Sequence, residues 1–376
     1  MYTNLVMPKK KITFWRFIAL WIAAKWDKMI LWGITKIFAL AIAITLGLKK
    51  RYRMSHNNGI AGRGKVRIVN NPQFPEHDFF VPGKEFDARV RHAMATFLDD
   101  AMKGIRSCSV KFADTDFDSP FDLECNTGEI NLFWSAASFL QFAKLRKEQW
   151  GVEYVEYYRK YPQGIKGAQE ALRKDATSFT NLRYYALTPF LFYGKDKVKR
   201  YAKYRVIPFD DIPETGLIDN PSDWDTANQR ITPHETRGRN YLKEEYKEHI
   251  QKEGAAKYRI QIQTRVANDD DSPEIFNNQI PWDAAIFPWY DLATMEITEI
   301  LDWKESTLTS FSLNNMPKTL GIIPAKSIYD YNSLNYMRAN AEIARKARLL
   351  SYKLKGIPGP IPNNDNRNTD VWDPKK

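Results

Sequence analysis

A chain of 376 residues, 43% hydrophobic and 27% charged, has room for one large domain or two ordinary ones and is too apolar to be a disordered segment. Its formal net charge of +11 is concentrated: residues 1–53 carry eleven Lys and Arg against the single acid Asp27, whereas residues 54–376 carry 45 bases against 44 acids. A nucleic-acid-binding domain has its basic footprint on the folded body, so this distribution argues against that class and for anionic lipid near residues 1–53.

In chain order, residues 14–24 form a short apolar run. Lys25-Trp26-Asp27-Lys28 separates it from residues 29–48, twenty residues whose one charge is Lys36. At about 1.5 Å per residue the second run just matches the thickness of a hydrocarbon core. The first run is too short to cross and suits the interface, with Trp15, Trp21, Trp26 and Trp32 as aromatic anchors. Gly47-Leu48-Lys49-Lys50 lacks the small-x-small pattern of a signal-peptide cleavage site. Residues 1–53 are therefore expected to be a membrane-attachment segment, either spanning the bilayer or lying on it. Residues 54–360 are expected to form the soluble domain, on the cytoplasmic side, and residues 361–376 a polar tail.

Beyond Arg53, Lys65-Val66-Arg67-Ile68-Val69 and Ser109-Val110-Lys111-Phe112 alternate apolar and polar residues as half-buried strands do, and residues 258–266 are the clearest strand. Helices are expected over 86–102, 135–148, 153–159 and 165–173. A last long helix over 333–355 is stopped by Gly356-Ile357-Pro358-Gly359-Pro360. Residues 206–240 and 268–282 read as loops. Two cysteines, Cys108 and Cys125, make no disulfide framework, and no Cys/His cluster suggests zinc; a reducing compartment fits. No GxGxxG, P-loop, GxSxG or HExxH is present. With five histidines (His56, His77, His92, His234, His249), what remains is chemistry that one His and a cofactor perform.

Three stretches stand out together. Arg53-Met54-Ser55-His56-Asn57-Asn58-Gly59 is an R-x-x-H-x-x-G element ahead of a strand. Ser109-Val110-Lys111-Phe112 is followed by Asn126-Thr127-Gly128. The late helix carries Arg338 and then Arg348-Leu349-Leu350-Ser351-Tyr352. Their order and spacing resemble the catalase superfamily, and more closely its shortened branch of allene oxide synthases and related lipid-hydroperoxide haem proteins. Val90-Arg91-His92 and Arg183-Tyr184-Tyr185-Ala186-Leu187-Thr188-Pro189-Phe190 also look like that family's intermediate stretches, so the likeness runs over roughly residues 50–357.

The resemblance implies an α+β fold, a catalase-like antiparallel β-barrel with flanking helices, in which His56 and Asn126 converge within the barrel region. It implies haem as cofactor, His56 as distal base with Asn126 as its partner, Arg53 and Arg91 as cofactor contacts, and Tyr352 as iron ligand beside Arg348. One departure leaves that ligand open. In the shortened branch a Ser-Leu-Asn segment is followed by Arg and, four residues on, by Tyr. Here Ser333-Leu334-Asn335 leads to Arg338 and then to Glu342, while Arg348/Tyr352 is closer to the longer catalases. On one straight helix the two registers lie about 80° and ~15 Å apart, so they do not put a ligand in one place. Three readings follow: a membrane-attached haem enzyme acting on lipid hydroperoxides by dehydration, isomerisation or cleavage; a catalase or peroxidase using H2O2; or a haem-less catalase-fold accessory or binding subunit at the membrane. A homo-oligomer or a membrane-protein partner stays open.

Overall fold

Side chains in a strand alternate between two faces, and nearly all of the body is built on that alternation. The computed structural model describes residues 13–48, 53, 55–95, 98–148, 153–218 and 235–361; the polar tail beyond 361, the basic residues 9–11 and 49–51 and the loop 219–234 lie outside them. In chain order the elements are α1 (Phe14–Leu48), β1 (Gly59–Ile68), β2 (Glu85–Met94), β3 (Gly104–Lys111), β4 (Asp122–Thr127), α2 (Ala136–Glu148), α3 (Glu153–Lys160), α4 (Ile165–Ala171) and β5 (Leu172–Arg173). They continue with β6 (Tyr184–Tyr193), β7 (Lys199–Pro208), α5 (Tyr241–Glu253), β8 (Ala256–Val266), β9 (Trp289–Ile300), α6 (Trp303–Leu308), α7 (Ser333–Asn340) and α8 (Glu342–Lys355).

Eight strands pair antiparallel in the order β2-β1-β9-β8-β7-β6-β4-β3, and β3 pairs back to β2, so the sheet closes into a barrel; β5 adds two residues to β3. Val90, Cys108, Val110, Leu123, Cys125, Tyr184, Val206, Ile260 and Met295 are buried in one core cluster. The interior is thus filled by side chains, as in other small barrels, and is not a channel. Cys108 and Cys125 stand opposite each other across β3 and β4, and both are free thiols. The weakest seam is between β4 and β6, where only Asn126↔Tyr185 and Thr127↔Tyr184 pair. Beyond it β6 loses register with β7 between Ala186 and Phe190, where Pro189 has no N–H to donate.

The structure corrects several sequence expectations. Residues 86–102, read as a helix, begin as strand β2: Ala88, Val90 and His92 point inward while Arg89 and Arg91 take the other face, a two-residue period that outweighs the helix-favouring Ala and Met. The two N-terminal apolar runs are one helix, α1, unbroken at Lys25-Trp26-Asp27-Lys28. Among the described residues no helix is long and apolar enough to cross a membrane. Leu31, Thr35, Ala39 and Ala43, spaced i, i+4, are buried where α1 packs on α8. A stretch held to the body along one face is not free to pass through a bilayer. The last helix also differs. It breaks at Ala341 (φ −70°, ψ 0°), whose N–H bonds to the Arg338 carbonyl three residues back, and divides into α7 and α8.

Two features test this fold. Lys111 and Asp122 are both fully buried and paired at 3.0 Å; Asp122 also accepts from the Ser312 N–H and the Asn315 amide, both at 2.9 Å. Asp122→Ala strands the Lys111 ammonium and is expected to cost about 3–5 kcal/mol in urea unfolding. His92, stacked on Phe179 with ring centroids 4.9 Å apart, is held down to about 3 by burial. Burial likewise lowers His77 to about 4, and its Nδ1 accepts from the Phe79 N–H at 3.0 Å. Both fold neutral, so below the free-imidazole value of about 6.5 only the unfolded chain takes up these protons. Stability therefore falls as pH drops, by up to about 1.4 kcal/mol per histidine per pH unit. Denaturation midpoints between about pH 7 and pH 5 are expected to show that fall, and His92→Gln to make it shallower.

Candidate active site

The barrel's outward residues build one wall of a cavity of about 400 Å³. Because the strand period is two, inward Cys108, Leu123 and Tyr184 alternate with outward Ser107, Ser109, Glu124, Asn126 and Tyr185, all of which line the cavity. The site therefore lies on the outer face of the barrel, not within it, and α1, α2, α7 and α8 close it. Its lining includes His56, Asn126, Arg53, Arg91 and Arg348, so five of the six residues singled out by sequence meet at one cavity.

The segment 53–59 is shaped by close approaches. His56 takes a left-handed backbone conformation, φ +59°, unusual for a residue with a side chain. Its N–H bonds to the Ala95 carbonyl at 3.0 Å, and its own carbonyl accepts from Arg91 at 2.9 Å. Three residues on, a Cβ at Gly59 would stand 2.5 Å from the Arg91 guanidinium carbon and 2.6 Å from the His92 carbonyl oxygen, so only glycine fits. The ring of His56 pairs Nδ1 with Ser55 Oγ at 2.8 Å, and its Nε2 is buried without a protein partner. Burial, with the Arg91 charge beside it, lowers its pKa to about 3, so the imidazole is neutral. Asn126 is the penultimate residue of β4, and the two residues after it are structural. Thr127 donates to the Ala171 carbonyl at 2.6 Å, and Gly128 sits at φ +91° against the backbone of Glu170.

Five arginines and one acid line this cavity. Burial pushes the Glu124 carboxyl up, but Arg338 at 2.7 Å and Arg345 at 2.8 Å outweigh it and hold it below the usual carboxylate range. Arg53, Arg91 and Arg348 have no carboxylate partner among the described residues. Arg53 donates to the carbonyls of Thr307 and Thr309, Arg91 to those of Ser306 and His56, and Arg348 to Ser310 Oγ, with Arg348 Nε unpaired. Burial and mutual repulsion lower Arg53 well below its ordinary value and bring Arg91 down to about 9. Buried cations are normally paired, so these guanidiniums carry charge that no carboxylate among the described residues neutralises.

Tyr352 continues the row of Ala341, Ala344, Arg345 and Arg348 along α8; it is 3% exposed and its ring centroid is 5.9 Å from the Arg348 guanidinium. It is not itself among the cavity-lining residues. Glu342, the alternative register, is turned away: it pairs with Lys346 at 2.7 Å and accepts from Asn314 at 2.9 Å. The break at Ala341 removes the single straight helix on which the two registers were compared. Sequence reasoning missed Glu124, Arg345 and Ser107. Stepping by two along the strand from Asn126 finds Glu124, and i−3 from Arg348 finds Arg345.

No protein-family model matches the sequence. The chain is 41% identical over 303 residues, 78% of its length, to an allene oxide synthase-lipoxygenase protein of Plexaura homomalla. It is 27% identical over 264 residues, 67% of its length, to a linolenate 9R-lipoxygenase of a Nostoc species. It spans 28% and 32% of those two relatives. Among solved structures a fungal catalase superimposes with a TM-score of 0.57 at 14% identity, covering 84% of this chain and 66% of that one. The closed barrel and its helices are thus a catalase fold, and the chain belongs to the catalase superfamily, in the catalase-related branch marked by its likeness to the allene oxide synthase-lipoxygenase protein.

Proposed function

We propose that this chain binds haem in the cavity and turns over lipid hydroperoxides there. The observation that carries the reading is the trio of buried Arg91 and Arg348 with half-buried Arg53, three cations with no carboxylate partner among the described residues, in a wall shared with His56 and Asn126. The two carboxylates of a haem and a phenolate ligand are the anions such a cluster would accept. Arg53 and Arg91 would take carboxylate, and Tyr352 would ligate the iron with Arg348 supplying positive charge beside its ring. When bound, haem iron supplies the redox chemistry by which a peroxide O–O bond is broken.

The chain's own residues then have distinct work. For Nε2 of His56 to accept the hydroperoxide proton, Nδ1 must carry hydrogen and donate to Ser55 Oγ. The neutral ring that burial enforces is the form that takes that proton and returns it to the departing oxygen. The Asn126 amide orients the peroxide without competing for protons. Phe38, Phe139, Phe142, Leu334 and Met337 give the cavity an apolar part that excludes water. H2O2 has no use for such a surface, whereas an acyl chain fills it. The relatives' names, one an allene oxide synthase and both lipoxygenases, support the same substrate class.

The test is spectral and kinetic. Purified protein supplied with haem is expected to show a Soret band and to prefer a fatty-acid hydroperoxide over H2O2 in kcat/KM. Tyr352→Phe is expected to lose the band. His56→Ala is expected to keep it while losing roughly 10²–10⁴-fold in turnover. Absence of a Soret band in the haem-supplied protein overturns the reading, and unchanged turnover in His56→Ala removes that residue from the chemistry.

A further inference from the structure

Helix α1 has two faces with different surroundings. Thr35, Phe38, Ala39 and Ile42 form part of the cavity wall, and Phe38 meets Phe139 of α2 edge to face with centroids 6.2 Å apart. At about 100° per residue the far side carries Trp15, Ile22, Trp26, Met29, Leu40 and Ile44. Each of these six is at least half exposed. Before residue 30 the helix is exposed on almost every side, with Phe14, Phe17, Leu20 and Trp21 also open. An exposed apolar surface this long needs a cover. Arg16, Lys25 and Lys28 are exposed among these side chains, and Lys25 lies 5.5 Å over the Trp21 ring.

We infer that the exposed face of α1 lies on an anionic lipid surface, and that the acyl hydroperoxide passes from that surface into the cavity along α1, beside the Phe38–Phe139 contact. Charge chooses the occupant. Ten net positive charges fall in residues 1–53 while the rest of the chain is nearly neutral, which matches an anionic leaflet and not a second copy of an equally basic helix. Tryptophans interleaved with bases suit the headgroup boundary, where one end of the ring is apolar and the other wet. The attachment of α1 to α8 holds the helix in the plane of that surface and fixes the cavity directly beneath it. Substrate delivery along this path rests on the lipid-hydroperoxide reading; lipid binding does not.

The test uses full-length haem-supplied protein and the triple variant Trp15→Ser, Trp21→Ser, Trp26→Ser, none of whose positions touches the cavity. Vesicles of phosphatidylcholine with a quarter phosphatidylglycerol are expected to sediment the parent protein, pure phosphatidylcholine vesicles much less, and the variant at least roughly tenfold less than the parent. Turnover of a fatty-acid hydroperoxide held in anionic vesicles is expected to fall by a similar factor in the variant, and turnover of the same compound dispersed in detergent to stay unchanged. A parent protein that ignores anionic vesicles, or a discrete oligomer that buries the tryptophans and does not sediment with lipid, overturns the inference. Equal loss of both turnovers overturns the delivery path. Vesicle binding without turnover of either form of substrate sinks the enzyme reading and leaves the lipid surface standing.

Discussion

The constraint on which this structure depends is a cluster of three guanidiniums, Arg91 and Arg348 buried and Arg53 half-buried, with no carboxylate partner among the described residues. Arg53, Arg91 and Arg348 come from the segment before β1, from β2 and from α8, so the cluster ties the barrel wall to the helical layer. Their bonds go to backbone carbonyls and one hydroxyl. Neutral acceptors satisfy N–H groups but do not neutralise charge, and burial first, then repulsion from neighbouring arginines, lowers all three arginine pKa values. The Arg338–Glu124–Arg345 triad next to them differs in holding a carboxylate between its guanidiniums. One half of the cavity is thus an ion network, and the other holds guanidiniums bonded only to neutral acceptors.

The approach of Arg91 to the cavity explains the local backbone. Its guanidinium crosses over Gly59 and reaches the carbonyl of His56, so the left-handed turn at His56 and the missing side chain at Gly59 answer one steric demand. The R-x-x-H-x-x-G pattern is then three parts of one device: a cation, a ring with a free nitrogen, and the space a second cation passes through. Strain at His56 is held by surrounding contacts, as is common where a side chain must be aimed.

Helix α1 changes the meaning of the basic N-terminal charge. A tail that only tethers would leave the cavity closed by the barrel and its own helices. Here residues of α1 are part of the wall, and the apolar part of the cavity abuts a helix whose other face is apolar and exposed. Burial of Leu31, Thr35, Ala39 and Ala43 on one stripe leaves little choice about which side faces outward.

Much of this was written in local sequence. The strands around residues 65–69 and 258–266, the helices after 135 and the Gly-Pro stop after Lys355 follow from residue type and spacing, because capping, alternation and turn chemistry act over a few residues, whereas the set Arg53, His56, Arg91, Asn126, Arg348 and Tyr352 came from the ordered likeness to the catalase family. That likeness also implied the antiparallel barrel, but the strand order that closes it, the site's place on its outer face and the strand identity of β2 are set by which strands pair across the chain. The sequence left Glu342 and Tyr352 as rivals on a supposed straight helix. The structure divides that helix at Ala341 and shows Lys346 and Asn314 drawing Glu342 outward, while Tyr352 stays buried beside Arg348. The apolar run of α1 has the composition of a membrane segment; that one stripe of it belongs to α8 was decided by packing, which composition does not encode.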